Sequence, residues 1–184
     1  ENDFKQLFSM EPLKYLKSID LSETSMASNS LGHLCTCKWL ENIESISLSN
    51  NNLDDEGIFI LSKSTNLPRL TTLDLSSNEI GALGGKVLAL SKSLNKVNSL
   101  NLSYNRIESL GIHSLANSDF GQRLKVLKIR DTCLDNPGMS GFSKYQLNML
   151  ESLDLSDNSI SDLGLESLAI SKAFPKIKEL SLIN

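Results

Sequence analysis

The chain has 184 residues, 40% of them hydrophobic and 22% charged, which is enough for one domain with a buried core. Its formal net charge of −4 gives no basic footprint for nucleic acid, so we expect no nucleic-acid partner. No stretch approaches the roughly 18 apolar residues that a membrane-spanning helix requires, so we expect no membrane partner either.

The first fifteen residues precede the repeats and contain a segment with helical spacing over residues 4–12. Phe4, Leu7 and Phe8 stand at helical spacing and are followed by Pro12. Residues 1–15 are either an N-terminal cap helix or the end of an earlier repeat, and the sequence leaves both interpretations open.

A repeated pattern of the form LxxLxLxxNxL then occupies the rest of the chain. It begins at residues 16, 43, 70, 97, 124 and 150, and a partial copy begins at 177. Five of the six intervals are 27 residues and one is 26. We therefore predict one domain over residues 1–184, built from six repeats and a partial seventh.

Each repeat has a strand part and a helix part. Leu73-Asp74-Leu75 shows the alternation of a half-buried strand, and an Asn such as Asn78 follows three residues after its last leucine, where its side chain can bond unpaired backbone groups. A Gly such as Gly84 and a bulky residue four positions on, such as Leu88, then open a segment of helical periodicity. Each repeat therefore reads as strand, turn, helix and return.

These motifs resemble the leucine-rich repeat superfamily, and the length near 27 residues is similar to the ribonuclease-inhibitor subtype. The resemblance covers about residues 16–184. It implies an α/β solenoid shaped as a horseshoe, with a parallel β-sheet on the concave face and helices on the convex face. It also implies a cytosolic protein that binds other proteins on the concave face.

The seventh repeat stops at Asn184, after its strand and before its helix. Leu180 and Leu182 are then expected to be poorly covered. From this we expect the natural protein to continue beyond Asn184.

Repeat five differs from its neighbours and is the predicted partner site. On the strands the residues between the leucines face the hollow of the arc, and most of these are small, polar or acidic. Repeat five instead carries several charged residues, has Thr132 in place of Asn, and is one residue shorter. The predicted partner-binding residues are Lys125, Lys128, Arg130 and Asp131 in repeat five, with Asn101, Tyr104 and Arg106 before it and Asp154 and Asp157 after it. The alternative is a structural role, in which Lys128 pairs with Asp154 across adjacent strands.

Patterns typical of enzymes and metal sites do not assemble. His33 and His113 fall in helical segments at least two repeats apart, and the spacing of His33, Cys35 and Cys37 does not suit a zinc site. The segment 81–86, GALGGK, departs from the phosphate-loop spacing. We predict no catalytic residues, no metal and no cofactor.

The leading hypothesis is a non-catalytic, monomeric scaffold that binds an unidentified protein on its concave face. Three Cys do not form a disulfide framework and favour a reducing, cytoplasmic setting. The Ser-, Asn- and Lys-rich composition is similar to that of leucine-rich effectors that intracellular bacteria deliver into host cells. Secretion into a host cell is therefore a second possibility. Alternatives are a recognition or regulatory arm of a larger enzyme or signalling protein, and a GTPase-activating protein.

Overall fold

The seven predicted strands form one open parallel sheet, in chain order, in a computed structural model that describes residues 2–183. The strands are β1 (Ser18–Asp20), β2 (Ser45–Ser47), β3 (Thr72–Asp74), β4 (Ser99–Asn101), β5 (Val126–Lys128), β6 (Ser152–Asp154) and β7 (Glu179–Ser181). Each strand begins two residues after a predicted repeat start. Residues 1 and 184, at the ends of the predicted domain, lie outside the described residues, and the division into one domain stays a prediction.

Helices connect the strands on the opposite side of the sheet. They are α1 (Asn2–Leu7), α2 (Ser28–Thr36), α3 (Asp55–Ser62), α4 (Ala82–Ala89), α5 (Glu108–Ala116), α6 (Asp119–Gln122), α7 (Asn136–Phe142) and α8 (Asp162–Ala169), with a 3-10 helix over Glu11–Tyr15. The predicted α/β leucine-rich solenoid is confirmed, with the sheet on the concave face and the helices on the convex face.

Two edges join these faces and are named here for use below. The strand-exit edge is where each strand ends and the next helix begins. It comprises residues 21–31, 48–57, 75–84, 102–110, 129–138 and 155–164. The return edge is where each helix ends and the next strand begins. It comprises residues 10–17, 37–44, 63–71, 90–98, 117–125, 143–151 and 170–178.

The strands are in register, so that equivalent residues of successive repeats stack on one another. Central strand residues such as Ile46, Leu73, Leu100 and Leu127 are Cα partners of one another in successive strands. All four are at most 2% exposed and belong to one hydrophobic cluster that runs through the array. Each repeat therefore completes its core only by stacking on the next.

The predicted asparagine ladder forms at the strand-exit edge. Buried Asn105 accepts a hydrogen bond from the Ile80 amide at 3.0 Å and donates to the carbonyls of Leu75 and Leu102 at 2.9 and 3.0 Å. Asn51, Asn78 and Asn158 make equivalent bonds to the carbonyls of Leu21, Leu48 and Ile129, each in the preceding repeat. The side chains thus satisfy backbone groups that the turning chain leaves unpaired.

Thr132 interrupts this ladder in repeat five. Its hydroxyl donates to the Ile129 carbonyl at 2.9 Å within its own repeat, and it is too short to reach back to repeat four. The Glu108 amide instead donates to the Thr132 carbonyl at 2.9 Å, and Glu108 adopts a positive φ of 57°. The Asn-to-Thr change therefore alters the path of the backbone where α5 begins.

Candidate functional site

The strand-exit edge of repeats four to six holds a fixed cluster of three predicted site residues. Arg130 Nε donates to Asp157 Oδ2 at 2.6 Å, and a second guanidinium nitrogen completes the ion pair. The guanidinium carbon also lies 5.6 Å from the centroid of the Tyr104 ring. The hydrogen bond to Asp157 holds the pKa of Arg130 above its ordinary value. Arg130 is therefore held by contacts within the chain.

The backbone presents two of these side chains outward. Tyr104 and Asp157 occupy the same repeat position and have φ of 58° and 53°. That position has a positive φ in each of the six repeats, at Glu23, Asn50, Ser77, Tyr104, Asp131 and Asp157. The Tyr104 side chain is 45% exposed, which makes it an accessible aromatic group beside the concave face.

Lys128 lies next to this cluster on the concave face itself. It is the Cα partner of Asn101 on β4 and of Asp154 on β6. Its side chain is exposed and forms no ion pair with any carboxylate of residues 2–183. It is therefore available to a partner.

The alternative interpretation, in which Lys128 pairs with Asp154, is wrong, because no such ion pair forms among residues 2–183. Asp154 Oδ1 accepts the Ser156 amide at 3.0 Å, and this directs the carboxylate along its own strand. Asp74 and Asn101 accept the amides of Ser76 and Ser103 in the same way, at 2.9 and 3.1 Å. The ion pair between repeats five and six forms instead at Arg130 and Asp157.

The remaining predicted residues do not all join this cluster. Lys125 precedes β5 and lies on the return edge, about 16 Å along the chain from Arg130 at about 3.3 Å per residue. Arg106 is exposed and pairs through its backbone with Gly81, toward the helix side of the turn. Asp131 is exposed beside the cluster, and its amide donates to the Ser156 carbonyl at 3.0 Å.

Two features of the protein surface were not predicted. Cys133, three residues after Arg130, is an exposed free thiol with a φ of 62°. The exposed cations of the return edge other than Lys125 were also missed because the net charge conceals them, although a count of charges by repeat position would have found them.

Groups suited to metal chemistry are dispersed over the described part of the chain. Within residues 2–183 no three His, Cys, Asp or Glu side chains come together as a possible metal site. His33 lies on α2 and His113 on α5, where His113 Nε2 is 2.8 Å from the Gly138 carbonyl. Cys35 and Cys37 lie in the core, and burial raises the pKa of Cys35 to about 12.

Comparison with known families identifies the class of protein. A family model described as Leucine Rich repeat matches residues 40–61, 66–89, 93–116 and 146–169, together just over half of the chain. This chain belongs to the leucine-rich repeat family. The matches omit the helices of repeats one and five, and these two repeats carry Thr24 and Thr132 in place of the ladder asparagine.

A solved structure shows the same fold. The chain is similar to the crystal structure of an internalin (inlF) from Listeria monocytogenes, with 22% sequence identity and a TM-score of 0.60. The match covers 97% of this chain and 51% of the internalin chain, so this chain spans about half the length of that one. A search of curated proteins finds no matching relative. Among the described residues no helix has the length and apolar character needed to cross a membrane.

Proposed function

We propose that this chain is a non-catalytic scaffold that binds a partner protein on its concave face, centred on repeats four to six. The leucine-rich repeat fold supports the role of interaction scaffold. The observation that carries the site is Lys128, an exposed cation that lies between Asn101 and Asp154 and has no ion partner among residues 2–183.

The neighbouring cluster supports the same location. Interface hot spots favour Tyr and Arg, and a partner loses less side-chain entropy when those groups are already held in place. Tyr104 and Arg130 are held against each other, and Asp157 holds Arg130. A partner with an acidic group opposite Lys128 is favoured, because a cation within an otherwise acidic face steers acidic partners.

Affinity capture tests this proposal directly. Wild type, Lys128→Glu and Lys86→Glu are used as bait in a eukaryotic cell lysate, and bound proteins are quantified by mass spectrometry. Lys86 is exposed on α4, so Lys86→Glu makes the same charge change on the convex side. We expect one protein to be retained by wild type and Lys86→Glu and to fall at least tenfold with Lys128→Glu. Equal recovery of the partner protein on Lys128→Glu and Lys86→Glu would contradict the proposed site on the concave face.

The same capture, carried out in both eukaryotic and bacterial lysate, separates the alternative hypotheses. A bacterial effector, acting in the host cytoplasm, binds a protein from eukaryotic lysate that bacterial lysate does not supply. If the chain is a recognition arm, it should capture a substrate or regulator of the larger enzyme or signalling protein. If it is a GTPase-activating protein, it should capture a GTPase.

A further inference from the structure

The folded chain separates its charges between the two edges. The return edge carries thirteen Lys or Arg and five Asp or Glu, whereas the strand-exit edge carries two Arg and ten Asp or Glu. The net charge of −4 therefore conceals a strongly basic edge. Part of this pattern follows from the helix dipoles, which favour acids at helix starts and bases at helix ends.

Some of the acidic groups of the strand-exit edge are engaged within the fold. Asp54 accepts the Gly57 amide at 3.1 Å, and Asp55 accepts the amides of Gly81 and Gly84 at 2.7 and 2.8 Å. Most cations of the return edge, in contrast, form no ion pair among residues 2–183. Within residues 10–178 only three of the thirteen form an ion pair, namely Lys14, Lys17 and Lys178.

Three adjoining hollows lie among these unpaired cations, between the return loops of repeats two to four. Their volumes are about 420, 580 and 340 Å³, and Lys92 lines all three. Lys63 lines the first, and the second is lined by Arg123 together with Asp119, whose carbonyl accepts a hydrogen bond from Arg123 Nη1 at 2.7 Å. Leu90 lines both of these and is 72% exposed, so each combines a cation with an accessible apolar side chain.

We propose that this part of the return edge docks an acidic polypeptide segment that carries apolar side chains, separately from the concave site. Carboxylates of the segment meet Lys63, Lys92 and Arg123, while its apolar side chains enter the hollows beside Leu90. A nucleic-acid backbone supplies charge but no aliphatic side chains for the hollows, and a flat bilayer contacts the loops that protrude rather than the recesses between them. At physiological salt, charges farther than about 8 Å are largely screened, so a short segment responds to this edge rather than to the net charge.

Fluorescence anisotropy with a defined peptide tests the proposal. The probe is a fluorescein-labelled nine-residue peptide with three Glu-Glu-Leu units. Its binding is compared for wild type, Lys63→Glu with Lys92→Glu, and the control Lys5→Glu with Lys86→Glu. All four lysines are exposed, and circular dichroism establishes that each variant is folded. Lys128→Glu is a further arm that reports binding on the concave face.

We expect the edge variant to weaken peptide binding at least tenfold, while the control and Lys128→Glu remain within twofold of wild type. Increasing the salt from 50 to 500 mM should weaken wild-type binding at least fivefold. Loss of binding with Lys128→Glu alone would place the peptide on the concave face and overturn the proposal. Absence of peptide binding would also overturn it, as would tighter binding of ten-nucleotide oligothymidine or of phosphatidylserine vesicles through Lys63 and Lys92.

Discussion

Arg130 and Asp157 form an ion pair across repeats five and six, with Arg130 Nε 2.6 Å from Asp157 Oδ2. The pair joins two turns at the strand-exit edge and holds Arg130 near the Tyr104 ring. Repeat five therefore has two kinds of cation on or beside the concave face: Arg130, which has a partner within the chain, and Lys128, which has none among residues 2–183.

The asparagine ladder makes a quantitative prediction for stability. Asn105→Ala leaves the Ile80 amide and two buried carbonyls without their side-chain partner, which should lower the free energy of unfolding by about 3 kcal/mol. Urea unfolding followed by circular dichroism measures this change. The matched control is Asn52→Ala, because Asn52 is exposed, and it should stay within about 0.5 kcal/mol of wild type. Similar losses for both variants would contradict the structural role of the ladder.

Two glycines allow α4 and α5 to approach each other closely. A Cβ placed on Gly85 would lie 2.9 Å from the Cα of Gly111, which is backbone and cannot turn aside. We expect Gly85→Ala to lower the free energy of unfolding by about 1–3 kcal/mol through overpacking.

Gly32 in α2 provides the control for this prediction. Its added Cβ would meet nothing within 4 Å, so Gly32→Ala should stabilise the protein by about 0.5–1 kcal/mol through helix propensity. Chemical denaturation measures the change in the free energy of unfolding for both variants. A change of the same sign in Gly85→Ala and Gly32→Ala would contradict the close approach of α4 and α5.

Asp54 caps α3, and its contribution should depend on pH. Hydrogen bonds from Ser28 and from the Gly57 amide hold the pKa of Asp54 below its ordinary value of 3.8. Because the folded-state pKa is the lower one, this stability is present above pH 3.8 and is lost as the pH falls through the folded-state value. Asp54→Ala should therefore cost about 1 kcal/mol at pH 7 and less near pH 2.5.

The Asp54→Asn variant separates the cap from its charge. Asparagine caps a helix about as well as aspartate, so this variant should stay close to wild type at pH 7. The difference in the free energy of unfolding between Asp54→Asn and Asp54→Ala should not vary with pH, since neither of the substituted side chains titrates. A pH-independent difference between wild type and Asp54→Ala would show that the carboxylate charge is not involved.

The three cysteines should react very differently in the native state. Cys133 is exposed, whereas Cys35 and Cys37 are buried, and burial raises the pKa of both of these thiols. Because the thiolate is the reactive form, a thiol-specific reagent at pH 8 should modify one thiol rapidly in native protein and three after denaturation. The Cys133→Ser variant should show no rapid reaction. Rapid modification of two or more thiols in native protein would contradict the buried positions.

The repeat period was sufficient to predict the fold. Leucine spacing predicted each strand, and the ladder position predicted the role of Asn105, because both depend on chemistry repeated at one interval. The ion pairing at repeat five was not predictable in this way. Lys128 and Asp154 share a register but form no ion pair, and the ion pair between these repeats joins Arg130 and Asp157 instead. The conformations of individual side chains decide such pairs, and the repeat pattern does not encode them.

Photo-crosslinking from the proposed site tests the central claim most directly. A p-benzoylphenylalanine is introduced in place of Tyr104, which borders the concave face, or in place of Leu110, which is 67% exposed on α5 of the same repeat. Each protein is irradiated in cell lysate, and crosslinked products are identified by mass spectrometry. A partner on the concave face predicts a specific product from position 104 and none from position 110, and the product should disappear when Lys128→Glu is added. The same product from position 110 alone would place the partner on the convex helices and contradict the account.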